Sequence, residues 1–347
     1  MYKDINGFYL QWHITKKCNC RCKHCYQGYE QFSDDMDLKH LIRIFLQYKE
    51  FLKYFYENQI SGVKVRPQIS ITGGEPFLHN DFMDFLKILS TNKDFFFICI
   101  LTNGTLITKE IAKKLKEYNI TQIQVSIEGN EKIHDEIRGN GNFKKAIRGI
   151  EYLLDENIKT HISFTAHQIN YKSFKDVVDL GKKLGVQCVW TDRVIPINGN
   201  KEIISLSPEE TKEYINTINH LKKLYSNPKD SFSVSNTRAL QKIGTEEEDY
   251  PYYCHAGLDM FTLMENGDLV ACRRMPIIVG NVLKSSFKDI YVNSPIMKNL
   301  RDILYKPAQG CEECKLAEKC GGGLKCLSYA VYNNYNIADP GCWLAKR

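Results

Sequence analysis

Over the first two hundred positions, stretches that alternate apolar and polar residues recur about every 30 residues, separated by segments whose apolar residues follow helical spacing. Six strands are predicted: Phe8 to Ile14, Gln68 to Thr72, Phe95 to Leu101, Gln122 to Ile127, His161 to His167 and Val186 to Val194. Between the first two, within 34–57, Leu38, Leu41, Ile42, Phe45, Tyr48, Leu52 and Phe55 form the stripe of an amphipathic helix, which reads as core. Strands that alternate with helices in this way predict right-handed β/α units.

The alternation within the strands carries more information, because successive side chains point to opposite faces. In the first strand Phe8, Leu10, Trp12 and Ile14 share one face, and Tyr9, Gln11, His13 and Thr15 the other. Ser70 and Thr72, then Gln124, Ser126 and Glu128, then Ser163, Thr165 and His167 repeat the pattern. A closed eight-stranded barrel fills its interior with bulky branched residues. Polar inward faces on four of the six strands instead predict an incomplete barrel around a water-accessible or ligand-filled cavity. An antiparallel sheet with one face in solvent is the alternative, and the intervening helices argue against it.

Beyond Pro196 the pattern changes. Ser207 as N-cap, Pro208 at the first helical position and Glu210 three residues after the cap open a helix that runs to about Tyr225. Residues 227–253 are polar and irregular, with the acidic run Glu246-Glu247-Glu248-Asp249, and read as a linker or a substrate-side flap. The expected organisation is a barrel over 1–199, a helical bridge over 200–253 and a cysteine-rich domain over 254–347.

With 347 residues, 43% hydrophobic and 25% charged, the chain is long enough for one large folded domain and a small one. No apolar run approaches a membrane span and residues 1–7 hold no secretory apolar region, so a cytoplasmic protein without a membrane partner is expected. In a reducing compartment the thirteen cysteines read as metal ligands rather than disulfides. The net charge of +6 is scattered, which reads as a solvated surface and not as a nucleic-acid site.

Cys18, Cys22 and Cys25 stand at the spacing C-x3-C-x2-C directly after the first strand. Three thiolates leave one iron of a four-iron cluster without a protein ligand. That iron is open to a chelator such as the amino and carboxylate groups of S-adenosylmethionine.

With His24 before its last cysteine, this triplet resembles the signature of the radical S-adenosylmethionine (radical SAM) superfamily. Gly73-Gly74-Glu75-Pro76, Thr102-Asn103-Gly104 and Ser126-Ile127-Glu128-Gly129 fall at the ends of the second, third and fourth strands, where the family would have them. The resemblance implies an α/β fold, a partial (β/α)6 TIM-like barrel. A reduced cluster on Cys18, Cys22 and Cys25 would break the sulfonium bond to release a 5′-deoxyadenosyl radical, fed by an external one-electron reductant of flavodoxin or ferredoxin type. By the same resemblance Gly73, Gly74 and Glu75 approach the methionyl amino group, Ser126 with Glu128 bonds the ribose, His24 lies by the adenine, and Asn103 joins the cofactor-binding loops. Each has a plainer alternative: a turn for Gly73-Gly74, an inward polar residue for Ser126, a turn residue for Asn103. Arg138 and Arg193 read either as partners of the cofactor carboxylate or as structural ion pairs.

Cys254, Cys272, Cys311, Cys314, Cys320, Cys326 and Cys342 crowd the last hundred residues, where iron-sulfur clusters and structural zinc are both conceivable. With Gly267, they resemble the SPASM extension of radical SAM enzymes, a small cysteine-rich α+β domain, departing from it in a five-residue spacer between Cys320 and Cys326. Carried over, the resemblance puts an outer auxiliary cluster on Cys311, Cys314, Cys320 and Cys342 and an inner one on Cys254, Cys272 and Cys326. The expectation is thus three 4Fe-4S clusters, one binding S-adenosylmethionine and two auxiliary, with Cys20, Cys99 and Cys188 structural. Three thiolates on the inner cluster leave room for a substrate thiolate, which would couple to a substrate radical as a thioether; His255 or water are plainer fourth ligands.

SPASM-bearing relatives mostly oxidise peptide or protein side chains. The sulfatase-maturing branch carries an acidic base after the equivalent of Cys272, where this chain has Arg273-Arg274. The expected function is therefore maturation of a ribosomally made peptide, ahead of sulfatase maturation and tetrapyrrole side-chain modification, with an iron-sulfur electron carrier as the non-enzyme alternative. Seven residues precede the first strand, so leader recognition is expected from a separate protein, from 200–250, or not at all. Arg273 and Arg274 read as a grip on an acidic peptide segment or as ordinary surface arginines.

Overall fold

The structure is a computed structural model and describes residues 7–28, 34–58, 66–197, 203–225, 231–235, 240, 252–304 and 306–345. The six predicted strands form as β1 (Tyr9–His13), β2 (Gln68–Thr72), β3 (Phe97–Thr102), β4 (Gln122–Ser126), β5 (Thr160–Ala166) and β6 (Cys188–Arg193). Each pairs in parallel with the next, and β7 (Ser233–Ser235) adds in parallel to β6. The connecting helices are α1 (Leu38–Glu57), α2 (Phe82–Ser90), α3 (Lys109–Glu117), α4 (Glu131–Arg138), α5 (Asn142–Asp155) and α6 (Phe174–Leu184). This is the parallel α/β barrel sheet that the period of the sequence implies.

Burial follows the pleat. Phe8, Leu10, Trp12 and Ile14 are buried on the helix-facing side, with Phe8 edge-on to Phe51 of α1 at 4.9 Å and Trp12 edge-on to Phe85 of α2 at 5.1 Å. The core stripe of α1 is Leu41, Ile44, Phe45, Tyr48, Phe51, Leu52 and Phe55, so Ile44 and Phe51 take the central places and Leu38 and Ile42 lie at the margin. The helix starts at Leu38, later than expected, because the Asp37 side chain accepts the His40 amide as its N-cap.

The predicted capping box is present: the Ser207 hydroxyl accepts the Glu210 amide, the Glu210 carboxylate accepts the Ser207 amide, and α7 runs Pro208–Leu224. The acidic run 246–249 lies outside the described residues. The C-terminal region is not a detached module. Its first strand, β8 (Met260–Leu263), pairs in parallel with β1, with Tyr9 opposite Met260. β9 (Asp268–Cys272) and β10 (Met275–Asn281) follow antiparallel, giving one ten-stranded sheet in the order β10-β9-β8-β1-β2-β3-β4-β5-β6-β7. Helices α8 (Phe287–Asn293), α9 (Pro295–Asp302), α10 (Ala317–Cys320) and α11 (Lys325–Tyr332) complete the fold. No helix among the described residues is long and apolar enough to cross a membrane.

Trp12 is fully buried where β1 meets α2. Trp12→Ala is expected to cost about 3–5 kcal/mol, read as a lowered urea midpoint. A midpoint shift worth less than about 1 kcal/mol would contradict the packing described.

Candidate active site

Strands β1, β2 and β3 deliver three loops to one end of the sheet. At Gly74 an added Cβ would stand 2.2 Å from the Lys17 carbonyl oxygen, and at Gly73, with φ of +157°, 2.5 Å from that of Thr15. Only glycine lets these backbones meet. The Gly74 amide donates to the Thr15 carbonyl at 2.8 Å and the Glu75 amide to that of Lys17 at 2.7 Å. Residues 15–17, which lead into Cys18, are thereby zipped to the loop after β2.

Glu75 is fully buried and joins the third loop. Its carboxylate accepts the Thr102 hydroxyl and the Asn103 amide, each at 2.8 Å. Burial raises its pKa to about 7, against the pull of these bonds. The Asn103 side chain donates to Asn19 Oδ1 at 2.9 Å, and Asn19 donates to the Thr105 hydroxyl at 2.8 Å, so the third loop holds the segment between Cys18 and Cys22.

Within the triplet, the Cys20 thiol sits between its neighbours. It hydrogen-bonds the sulfurs of Cys18 and Cys22, lowering the pKa of Cys18 to about 6 and lowering that of Cys22. Burial raises Cys25. Arg138, the last residue of α4, donates from Nε and Nη2 to Glu128 Oε1 at 3.0 and 2.6 Å and reaches Cys22 Sγ at 3.7 Å from Nη1. Its Nη2 also lies 3.4 Å from His24 Nε2. Glu128 Oε2 accepts the Thr165 amide at 2.9 Å. Both carboxylate oxygens of Glu128 are thus engaged, and Arg138 places a cation between Cys22 and Glu128. His24 packs 5.8 Å from His167, and burial, then the Arg138 charge, lowers its pKa well below the usual value. Ser126, half-buried, ends β4 opposite Ser163.

Arg193 is committed to a different partner. It makes a buried two-pronged pair with Asp339 at 3.0 and 2.5 Å, and Asp339 also accepts the amides of Leu324 and Gly341, both at 2.8 Å. Arg193 therefore clasps the C-terminal segment to β6. Arg274 pairs with Asp192 and donates to the Arg193 carbonyl at 3.0 Å.

In the C-terminal region the structure draws Cys311, Cys314, Cys320 and Cys342 together. Burial, then the neighbouring Cys342 and Cys314, pushes Cys311 up to about 11; burial, then Cys342 and Asp339, pushes Cys320 up to about 12. Cys254 precedes β8, Cys272 ends β9 and Cys326 stands in the first turn of α11, all half-buried. Lys325, buried and with its pKa lowered by that burial, is close enough to feel Cys254, Cys311 and Cys320 at once. Among the described residues no three His, Cys, Asp or Glu side chains converge as a mononuclear ion requires. The His255 ring bonds Asp259 Oδ1 at 2.9 Å.

The sequence reading set Cys20 aside and passed over Tyr26 and Lys325. Only their adjacency to Cys18, Cys22, Cys25 and Cys326 signals them in the sequence.

The chain matches the profile of the radical SAM superfamily over residues 12–181 and that of the SPASM iron-sulfur cluster-binding domain over 254–315. It is 26% identical to Fe-coproporphyrin III synthase of Methanosarcina barkeri, over 96% of this chain and 87% of that protein. It is 24% identical to the antilisterial bacteriocin subtilosin biosynthesis protein AlbA of Bacillus subtilis, over 94% and 69%. Its fold is that of Streptococcus suis SuiB, solved bound to the precursor peptide SuiA, with a TM-score of 0.75 and 18% identity over 98% of this chain and 76% of that one.

Gly74→Ala, with its Cβ driven into backbone, is expected to lose about four of the irons bound on reconstitution, measured by iron analysis of the folded protein; unchanged iron would contradict the fit. Arg138→Gln leaves Glu128 buried and unpaired and is expected to cost about 3–5 kcal/mol. In thermal or urea unfolding, adding Glu128→Gln should recover most of that loss.

Proposed function

From a chain that belongs to the radical SAM superfamily and carries a SPASM domain, we propose an enzyme that oxidatively modifies a peptide substrate, in the maturation of a ribosomally made peptide. Cys18, Cys22 and Cys25 would hold the N-terminal cluster. Cys311, Cys314, Cys320 and Cys342 would hold an outer auxiliary cluster, and Cys254, Cys272 and Cys326 an inner one, three in all. When bound and reduced, the first supplies the electron that splits S-adenosylmethionine into methionine and a 5′-deoxyadenosyl radical. The protein's own part is positional. Gly73 and Gly74 let the loop after β2 press on residues 15–17, Glu75 fastens that loop to Asn103, and Arg138 sets a positive charge beside Cys22.

The observation that carries the peptide reading is strand β10. It ends the sheet, pairs only with β9 among the described residues, and leaves Ile278 57% exposed. Such an edge can take an added peptide strand, and it begins three residues after Cys272. The likeness to AlbA over most of both chains supports the same reading. A second reading, tetrapyrrole side-chain modification, is favoured by the likeness to Fe-coproporphyrin III synthase.

Anaerobically reconstituted, dithionite-reduced enzyme is expected to bind about twelve irons per chain and to convert S-adenosylmethionine to 5′-deoxyadenosine, with Cys22→Ala abolishing the conversion. Mass spectrometry of candidate peptides from neighbouring reading frames, run beside Fe-coproporphyrin III, then separates the two readings. A mass change in the peptide alone supports the first. Turnover of the porphyrin alone overturns it.

A further inference from the structure

Three arginines near the sheet's polar face are paired with carboxylates: half-buried Arg138 with Glu128, buried Arg193 with Asp339 and half-buried Arg274 with Asp192. Arg273 is the exception. It is 93% buried by its 7% residual exposure, and among the described residues no carboxylate lies within ion-pair distance of it. Glu265, the buried carboxylate on the β8–β9 connection, is paired with Lys16. The Arg273 guanidinium instead sits over the Tyr26 ring, 4.4 Å from its centroid, with Nη2 3.3 Å from the Tyr26 carbonyl, and its Nε has no hydrogen-bond partner among the described residues. A buried cation held, among the described residues, by a ring face and one carbonyl is poorly compensated.

A second orphan flanks the same ring. His13, at the end of β1, is wholly buried, 6.1 Å from the Tyr26 ring, and neither of its ring nitrogens has a partner. Burial and the nearby Arg273 cation keep it neutral, so it offers one N–H donor. Tyr26 follows Cys25, and Arg273 follows Cys272. The two donors, without partners among the described residues, thus flank a ring that adjoins Cys25 in the chain, and one of them adjoins Cys272.

We propose that Arg273 and His13 form a carboxylate-binding pair that holds an acidic side chain of the substrate peptide, Asp or Glu, over the Tyr26 ring. The inference rests on the peptide reading and adds its substrate class: a segment with an acidic residue close to the modified position. Two donors beside one ring, one of them a guanidinium, suit the two oxygens of a carboxylate. An amide of the same shape would leave that charge unmatched.

The test needs no turnover, so its outcome stands apart from whether any peptide is ever modified. Ligand-observed NMR titration of reconstituted enzyme would compare N-acetyl-glutamate N-methylamide with its glutamine and lysine counterparts. Capped glutamate is expected to bind about 10- to 100-fold more tightly than capped glutamine, the worth of charge-assisted hydrogen bonds, and capped lysine not to bind. Arg273→Gln should erase the preference and His13→Phe should weaken glutamate binding several-fold with glutamine binding unmoved. Should Arg273→Gln fail to hold iron, His13→Phe carries the test. Equal binding of glutamate and glutamine, or an undiminished preference in the variants, overturns the proposal.

Discussion

Everything at the active end of this protein depends on two missing Cβ atoms. Because Gly73 and Gly74 carry no side chain, the loop after β2 lies against the backbone of residues 15–17, and the thiol-bearing segment leaves β1 along a fixed path. Glu75 then converts a close approach into a joint: one buried carboxylate accepts bonds from the third loop at both oxygens. Burying that carboxylate is unfavourable, as its raised pKa records, and the fold offsets the cost with hydrogen bonds that also align Asn103 on Asn19.

Charge placement follows the same logic of local satisfaction. Arg138 answers both Glu128 and the Cys22 sulfur, so a positive charge beside that sulfur is held by a carboxylate that is itself tied to the Thr165 amide. Arg193 and Asp339 do the corresponding work between β6 and the C-terminal segment, and β8 joins β1 in the sheet. The C-terminal thiols are thereby built onto the barrel through a shared sheet and a buried ion pair. Lys325 is buried beside three of those thiols, and that burial lowers its pKa.

Much of this was legible in the sequence because period and spacing are local properties. The six parallel strands, the inward polar faces, the helix opened by Ser207 and Pro208, and the thiol triplet all follow from short stretches of residues. What escaped depends on contacts distant in the chain. Nothing near Arg193 announces Asp339, 146 positions away, and nothing in residues 260–281 announces that β8 would continue the barrel sheet beside β1. The predicted stripe of α1 lacked Phe51, which packs against the distant Phe8, Phe261 and Phe287, and Ile44, which is buried on the same helix. The surroundings of Arg273 were likewise hidden, because a pair of adjacent arginines looks the same in sequence whether it is solvated or buried.

The central claim is that the loops after β1, β2 and β3 hold a cluster whose open iron takes the amino and carboxylate groups of S-adenosylmethionine. Electron-nuclear double resonance on the reduced enzyme, with the methionyl nitrogen as 15N and the carboxylate oxygens as 17O, measures this directly. Hyperfine coupling to both labels is the predicted result. Spectra unchanged by either label, in protein with its full iron content, would contradict it.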